Sequence, residues 1–164
     1  MMILIAGPNG SGKSAFAESM VTELSGERVY LATMAAQTKE NRERIQKHRK
    51  QRAGLNFRTV ELPWRLERAV VGAEDLVLLE DASNLLANGI FAHGGTKEQA
   101  LEQIMALHRR CGVLICVTIS GLSETGYSGG TAAYIRDLQW LNARLLEEAD
   151  EAYEMTKDGA KWVK

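Results

Sequence analysis

Eight residues near the start of the chain restrict its fold more than anything that follows. Gly7-Pro8-Asn9-Gly10-Ser11-Gly12-Lys13-Ser14 reads G-x-x-x-x-G-K-S. The apolar run Met2 to Ala6 precedes it, and Phe16, Met20 and Leu24 follow at i, i+4 and i+8. This context predicts a buried strand, a glycine turn and a helix over residues 13–25, closed by Gly26. The residue types suit one task. Glycines let backbone N–H groups curl around phosphate oxygens without Cβ clashes. The helix N-terminus adds partial positive charge. Lys13 would reach the β- and γ-phosphates, and Ser14 would ligate Mg²⁺. The eight residues therefore predict a site for GTP or ATP with Mg²⁺, and leave the reaction open.

Alternation of elements sets the fold class. Arg28 to Thr33 is a second apolar strand, so the first 33 residues form a strand–helix–strand unit with parallel pairing. Residues 38–52 have helical composition. Strands are expected at Phe57–Leu62, Asp75–Glu80 and Val113–Thr118, and a short helix at 64–72. Helices are expected at 82–92, 96–110 and 131–149, with a Gly- and Ser-rich loop over 121–130. Glu151–Thr156 and Lys161–Val163, joined by Asp158-Gly159, read as a hairpin. At 164 residues, with no linker and no repeat, the chain is expected to be one nucleotide-binding domain over 1–164. Its class is α/β, a mostly parallel sheet flanked by helices with a C-terminal antiparallel hairpin.

Two further features carry chemistry. A second Mg²⁺ element should be an acid at the end of an apolar strand, and Leu76-Val77-Leu78-Leu79 ends on Glu80-Asp81. Glu80 and Asp81 are thus candidate metal ligands beside Ser14, although Asp81 also suits a helix N-cap. The segment 38–52 holds seven Lys or Arg and two Glu, a charge of +5 within a chain of net −1. Its one large apolar residue is Ile45, so it is not a core helix. Arg44, His48 and Arg52 recur at i, i+4 and i+8. Like charge disfavours the imidazolium form of His48, and a neutral imidazole is a nucleophile. His48 is therefore a candidate for covalent capture of a phosphoryl or nucleotidyl group, with a plain solvated basic face as the alternative.

Composition removes other classes. The near-neutral charge argues against a nucleic-acid partner. No apolar stretch approaches the roughly 18 residues that would span a membrane, and the start of the chain lacks a basic leader. Cys111 and Cys116 fit no metal or redox spacing, which suits a cytoplasmic setting. An Asn-Lys-x-Asp base-reading motif is absent. A small kinase or a nucleotidyl-transfer enzyme remains.

From residue 2 to 164 the chain resembles the bifunctional adenosylcobinamide kinase/adenosylcobinamide-phosphate guanylyltransferase family of cobalamin synthesis. The resemblance runs through the glycine loop, Tyr30-Leu31-Ala32-Thr33, Arg44-Ile45-x-x-His48-Arg49 and Phe57-Arg58-Thr59-x-Glu61. It continues in Leu78-Leu79-Glu80, Asn84-Leu85-Leu86-Ala87-Asn88, Val117-Thr118, Tyr134-x-Arg136-Asp137-Leu138-x-x-Leu141-Asn142 and Gly159-x-Lys161. It implies a RecA-like P-loop NTPase fold, assembly as a homotrimer and a corrinoid small-molecule substrate. It also implies phosphorylation of the cobinamide hydroxyl and transfer of GMP from GTP through a guanylylated histidine. His48 matches that histidine, and Lys13 joins it as catalytic. Glu61 and Glu80 match positions near the nucleotide, with Thr33, Arg49 and Arg52 as further expected nucleotide contacts. The chain departs from the family at Ile119-Ser120-Gly121-Leu122, where Asn-Glu-Val-Gly is usual, and at Ala53, where proline is common. Two other readings stay open: a P-loop kinase with a different acceptor, and a nucleotide-binding regulatory protein with little turnover.

Overall fold

The computed structural model describes residues 1–164. The chain forms β1 (Met2–Gly7), α1 (Lys13–Thr22), β2 (Arg28–Ala32), α2 (Lys39–Gln51), β3 (Arg58–Glu61) and β4 (Leu76–Glu80). It continues with α3 (Ala82–Ala92), α4 (Lys97–His108), β5 (Val113–Ile119), α5 (Gly129–Glu148), β6 (Glu151–Thr156) and β7 (Gly159–Trp162). The seven strands make one sheet in the order β3-β2-β4-β5-β1-β6-β7. Every ladder is parallel except β6–β7, so the hairpin is the antiparallel edge expected from the sequence.

The near-continuous apolar strands follow from burial on both faces. Met2, Leu4, Val29, Leu31, Val77, Leu79, Leu114 and Cys116 point to one side and pack with residues of α3, α4 and α5. Ile3, Ile5, Tyr30, Leu76, Leu78, Ile115 and Val117 point to the other, against Ala17 and Val21 of α1. Both cysteines are buried and free. The polar helix α2 buries no residue, as its composition requires. None of the helices is long and apolar enough to cross a membrane.

One expected element is not formed. Residues 64–72 make only a single 3₁₀ turn, Leu66–Arg68. Arg65 before it sits at φ 65°, outside the right-handed region, so no longer helix starts there. The turn is instead an anchor: Leu66 and Ala69 are buried, and the Leu66 N–H donates to Gln103 Oε1 at 2.9 Å. Trp64 just before it lies over α3, its ring on the space a side chain at Gly89 would need. A Cβ built there comes within 2.5 Å of Trp64 Cζ3. Gly89→Ala should therefore lower stability by about 1–3 kcal/mol, read as a lower urea midpoint at unchanged slope. An unchanged midpoint would show that Trp64 moves aside freely.

Candidate nucleotide site

The glycine loop leaves the end of β1 at the carboxyl edge of the sheet, where ligands of open α/β sheets bind. Gly10 and Gly12 adopt φ 73° and 87°, which turn successive N–H groups toward one concavity. Gly12 caps α1 with no side-chain hydrogen bond, leaving the first-turn N–H groups open to an anion. Gly7 is needed for space. A Cβ there would lie 2.7 Å from Met155 Cβ and 2.8 Å from Ser11 Oγ. Met155 thus supports the loop from β6, a contact across the whole chain length that no local pattern announces.

Lys13 is only 7% exposed, and its Nζ donates to Pro8 O at 2.7 Å. Burial lowers its pKa, against the pull of Asp81, Glu80 and Glu154. The Ser14 hydroxyl donates to Glu80 Oε1 at 2.6 Å, joining the first turn of α1 to the last residue of β4. Burial raises the pKa of Glu80, and the neighbouring Asp81 adds to it. Glu80 Oε2 is buried without a hydrogen-bond partner. A hydroxyl and a carboxylate with a free oxygen beside a phosphate cradle are the donor set that fits Mg²⁺. That ion is commonly held by one or two protein oxygens plus substrate phosphates and water.

Asp81 caps α3. Its Oδ1 accepts from Asn84 N at 2.7 Å and from the Ser83 hydroxyl. The buried Thr33 hydroxyl accepts from Asp81 N–H at 2.7 Å and donates to Asp81 O at 2.8 Å, while Asn88 Nδ2 bridges Thr33 O and Pro63 O. Thr33 therefore fixes the backbone that carries Glu80 and Asp81.

Helix α2 closes the opposite wall. Thr38 caps it by accepting from Asn41 N. Asn41, Arg44, Lys47, His48 and Gln51 line a cleft of about 400 Å³ together with residues 9–15, Glu80 and Asn84. Of the three histidines only His48 faces this cleft. Burial lowers its pKa, and Arg52, Arg44 and Lys47 lower it further, so the imidazole stays neutral.

The sequence matches the family described as cobinamide kinase / cobinamide phosphate guanyltransferase over residues 3–161. The chain belongs to this cobinamide kinase/guanyltransferase family, whose members are enzymes of cobalamin biosynthesis. A search of curated proteins found no match. Among solved structures, the chain is similar to a prototypical ATPase from the type III secretion system of pathogenic bacteria. The TM-score is 0.54 at 10% identity, covering 96% of this chain and 51% of that one. The chain spans about half the length of that ATPase, and the likeness establishes a P-loop NTPase fold.

Within this member of the family the expected site residues divide into two groups. Lys13, Ser14, His48, Glu80 and Asp81 meet around one cleft with the glycine loop. Arg52 and Glu61 lie in a smaller cavity behind His48, and both also line, with Arg49, a groove between the end of α2 and β3. Arg49 pairs with Glu61, and both are half exposed, so the pair contributes at most about 1 kcal/mol. Arg52 is 5% exposed and stacks its guanidinium 3.6 Å from the Tyr30 ring centroid. Sequence reasoning passed over Asn41, Gln51 and Met34 as lining residues, because polar or apolar single residues carry no motif.

Proposed function

We propose that this chain binds GTP or ATP with Mg²⁺ on residues 7–14, phosphorylates a cobinamide-type hydroxyl and transfers GMP through His48. The observation that carries the guanylyl step is the position of His48 on the cleft wall facing the phosphate loop. The triphosphate tail would lie on the open N–H groups of Gly10 to Ser14, with Lys13 released from Pro8 O to reach it. Mg²⁺ on Ser14 and Glu80 would neutralise phosphate charge. For guanylyl transfer the neutral imidazole attacks the α-phosphorus, forming a P–N bond as pyrophosphate leaves. A phosphate oxygen of the acceptor then displaces histidine, which returns neutral. Arg44 and Lys47 on the same wall offset the charge that develops. For phosphorylation the work is positioning and charge neutralisation. We read residues 1–164 as one domain acting in the cytoplasm as a homo-oligomer, with the corrinoid at a cleft or between subunits.

The test compares two labels. GTP labelled on the α-phosphate should mark the protein covalently in an acid-labile, alkali-stable form, and GTP labelled on the γ-phosphate should not. Marking by the γ-label, or by neither, overturns the guanylyl reading. Ile119, which lines the cleft where the family usually has Asn, supports a second reading. This is a kinase with a different acceptor, detected by a screen for γ-phosphate transfer.

A pH dependence follows. The folded pKa of His48 lies below the ordinary imidazole value of about 6.5. The labelling rate should stay level as pH falls to about 6.5 and drop only below it. Stability linked to this group should likewise be full above about 6.5 and decline as pH falls through the lower folded value. A labelling profile with its midpoint above 6.5 would mean that the imidazole is not the desolvated base described.

A further inference from the structure

Helix α2 turns one narrow face inward. Asn41, Ile45 and His48 are half-buried along it, and every other residue from 39 to 51 is exposed. Arg52, at its C-terminal end, is buried. At about 100° per residue these four lie within about 60° of one another around the helix axis. The inward face thus deepens along the helix and closes on a cation. A buried guanidinium needs partners. This one lies 3.6 Å from the ring centroid of Tyr30, a buried residue of β2, and its Nη2 reaches Thr59 Oγ1 of β3 at 3.5 Å. Burial raises the pKa of Glu18 on α1 and Arg52 lowers it, so an acid stands near the guanidinium as well. Backbone joins Arg52 to His48, since its N–H donates to His48 O at 3.3 Å. The other links of α2 are weaker or local. Arg49–Glu61 is half exposed. The bonds from Asn41 Nδ2 to Ala35 O and from Arg42 Nη1 to Ala36 O stay within the connection that leads into the helix.

We infer that Arg52 is a positioning residue for His48: its guanidinium, seated on the Tyr30 ring, clamps the last turn of α2 to the sheet and so sets the imidazole one turn earlier on the cleft wall. A planar cation over an aromatic face suits this task, because the stack fixes both distance and tilt. A helix that is polar all round has no apolar stripe to hold it, so one buried contact at its end decides how its inward face is presented. The catalytic meaning of the clamp rests on the proposed guanylyl role of His48, and the clamp itself does not.

The test has two arms on the full chain. Without nucleotide, amide exchange of residues 48–52 should quicken by about tenfold in Arg52→Met and in Tyr30→Leu, and stay at the wild-type rate in Tyr30→Phe, which keeps the ring face. Unchanged exchange in Arg52→Met overturns the clamp, and that variant keeps the test open where Tyr30→Leu fails to fold, because Arg52 belongs to neither core cluster. With GTP labelled on the α-phosphate, the capture rate at saturating GTP should fall about tenfold in Arg52→Met and in Tyr30→Leu while the Kd for GTP stays within about threefold of wild type. The double variant should be no slower than the slower single one, since both changes break one contact. Tyr30→Phe should capture at the wild-type rate. A Kd raised beyond tenfold in Arg52→Met makes Arg52 a nucleotide contact and overturns the inference. So does an unchanged capture rate, or a double variant whose losses multiply. A wild-type chain that captures no α-label removes the guanylyl reading, and the exchange comparison then decides the clamp alone.

Discussion

His48→Ala is expected to abolish covalent capture of the α-label while GTP affinity stays within about tenfold of wild type. The asymmetry follows from position. The phosphate tail is held by backbone N–H groups of the glycine loop and by Lys13, none of which touches the imidazole. The nucleophile has no substitute, because His93 and His108 do not reach the cleft. His48 is only partly buried and α2 contributes no residue to the core, so the truncation leaves no core cavity and the fold should survive. Transfer of the γ-phosphate to the acceptor hydroxyl should persist, since that step forms no bond to histidine. Equal loss of α-capture and γ-transfer in His48→Ala would show that the residue serves nucleotide binding instead.

Lys13→Ala should remove both transfers, each by about 10²–10³ in kcat. The ammonium is the one Lys or Arg side chain on the phosphate loop, and it sits in a nearly closed position where charge interactions are strong. Its release from Pro8 O toward a bound triphosphate would bring a cation to the oxygens on which charge builds in either reaction. Lys13→Arg should not rescue. The guanidinium is larger and planar, and the ammonium it would replace is held on the loop carbonyl of Pro8 within the field of three carboxylates, Asp81, Glu80 and Glu154. The paired outcome is the discriminating result: one variant loses capture alone, the other loses everything. Turnover retained within tenfold in Lys13→Ala would place the phosphates elsewhere.

Much of this was legible in the residues. Glycine at 7, 10 and 12, lysine at 13 and serine at 14 announce a phosphate loop, because few other environments need that set in that order. Strand alternation and the bare polarity of residues 38–52 likewise anticipated β1 to β5 and the surface helix. The exceptions are instructive. Arg44, His48 and Arg52 were expected on one face, yet only the first two line the phosphate cleft. Eight residues at 3.6 per turn leave Arg52 about 80° around the helix from Arg44. That rotation brings it onto Tyr30, where its guanidinium makes a cation–π contact. Thr33 and Asp81 were expected at the ligand and the metal. In the structure a long-range hydrogen-bond pair engages Thr33 in holding the β4–α3 junction, and a local one has Asp81 cap α3 while it still lines the cleft.

By itself, the sequence determined the phosphate loop, the parallel α/β class, the hairpin and the choice of His48 as the candidate nucleophile. The loop and the hairpin rest on spacing within a few residues, the fold class on the alternation of elements along the chain, and His48 on the charge of one segment. Tertiary structure alone decided which wall of α2 faces the loop, that Met155 supports Gly7 from the last hairpin, and that Glu80 lies between Ser14 and the cavity behind His48. Those contacts join residues tens to more than a hundred positions apart. Sheet order and the packing of both core faces set them, and no local pattern encodes either.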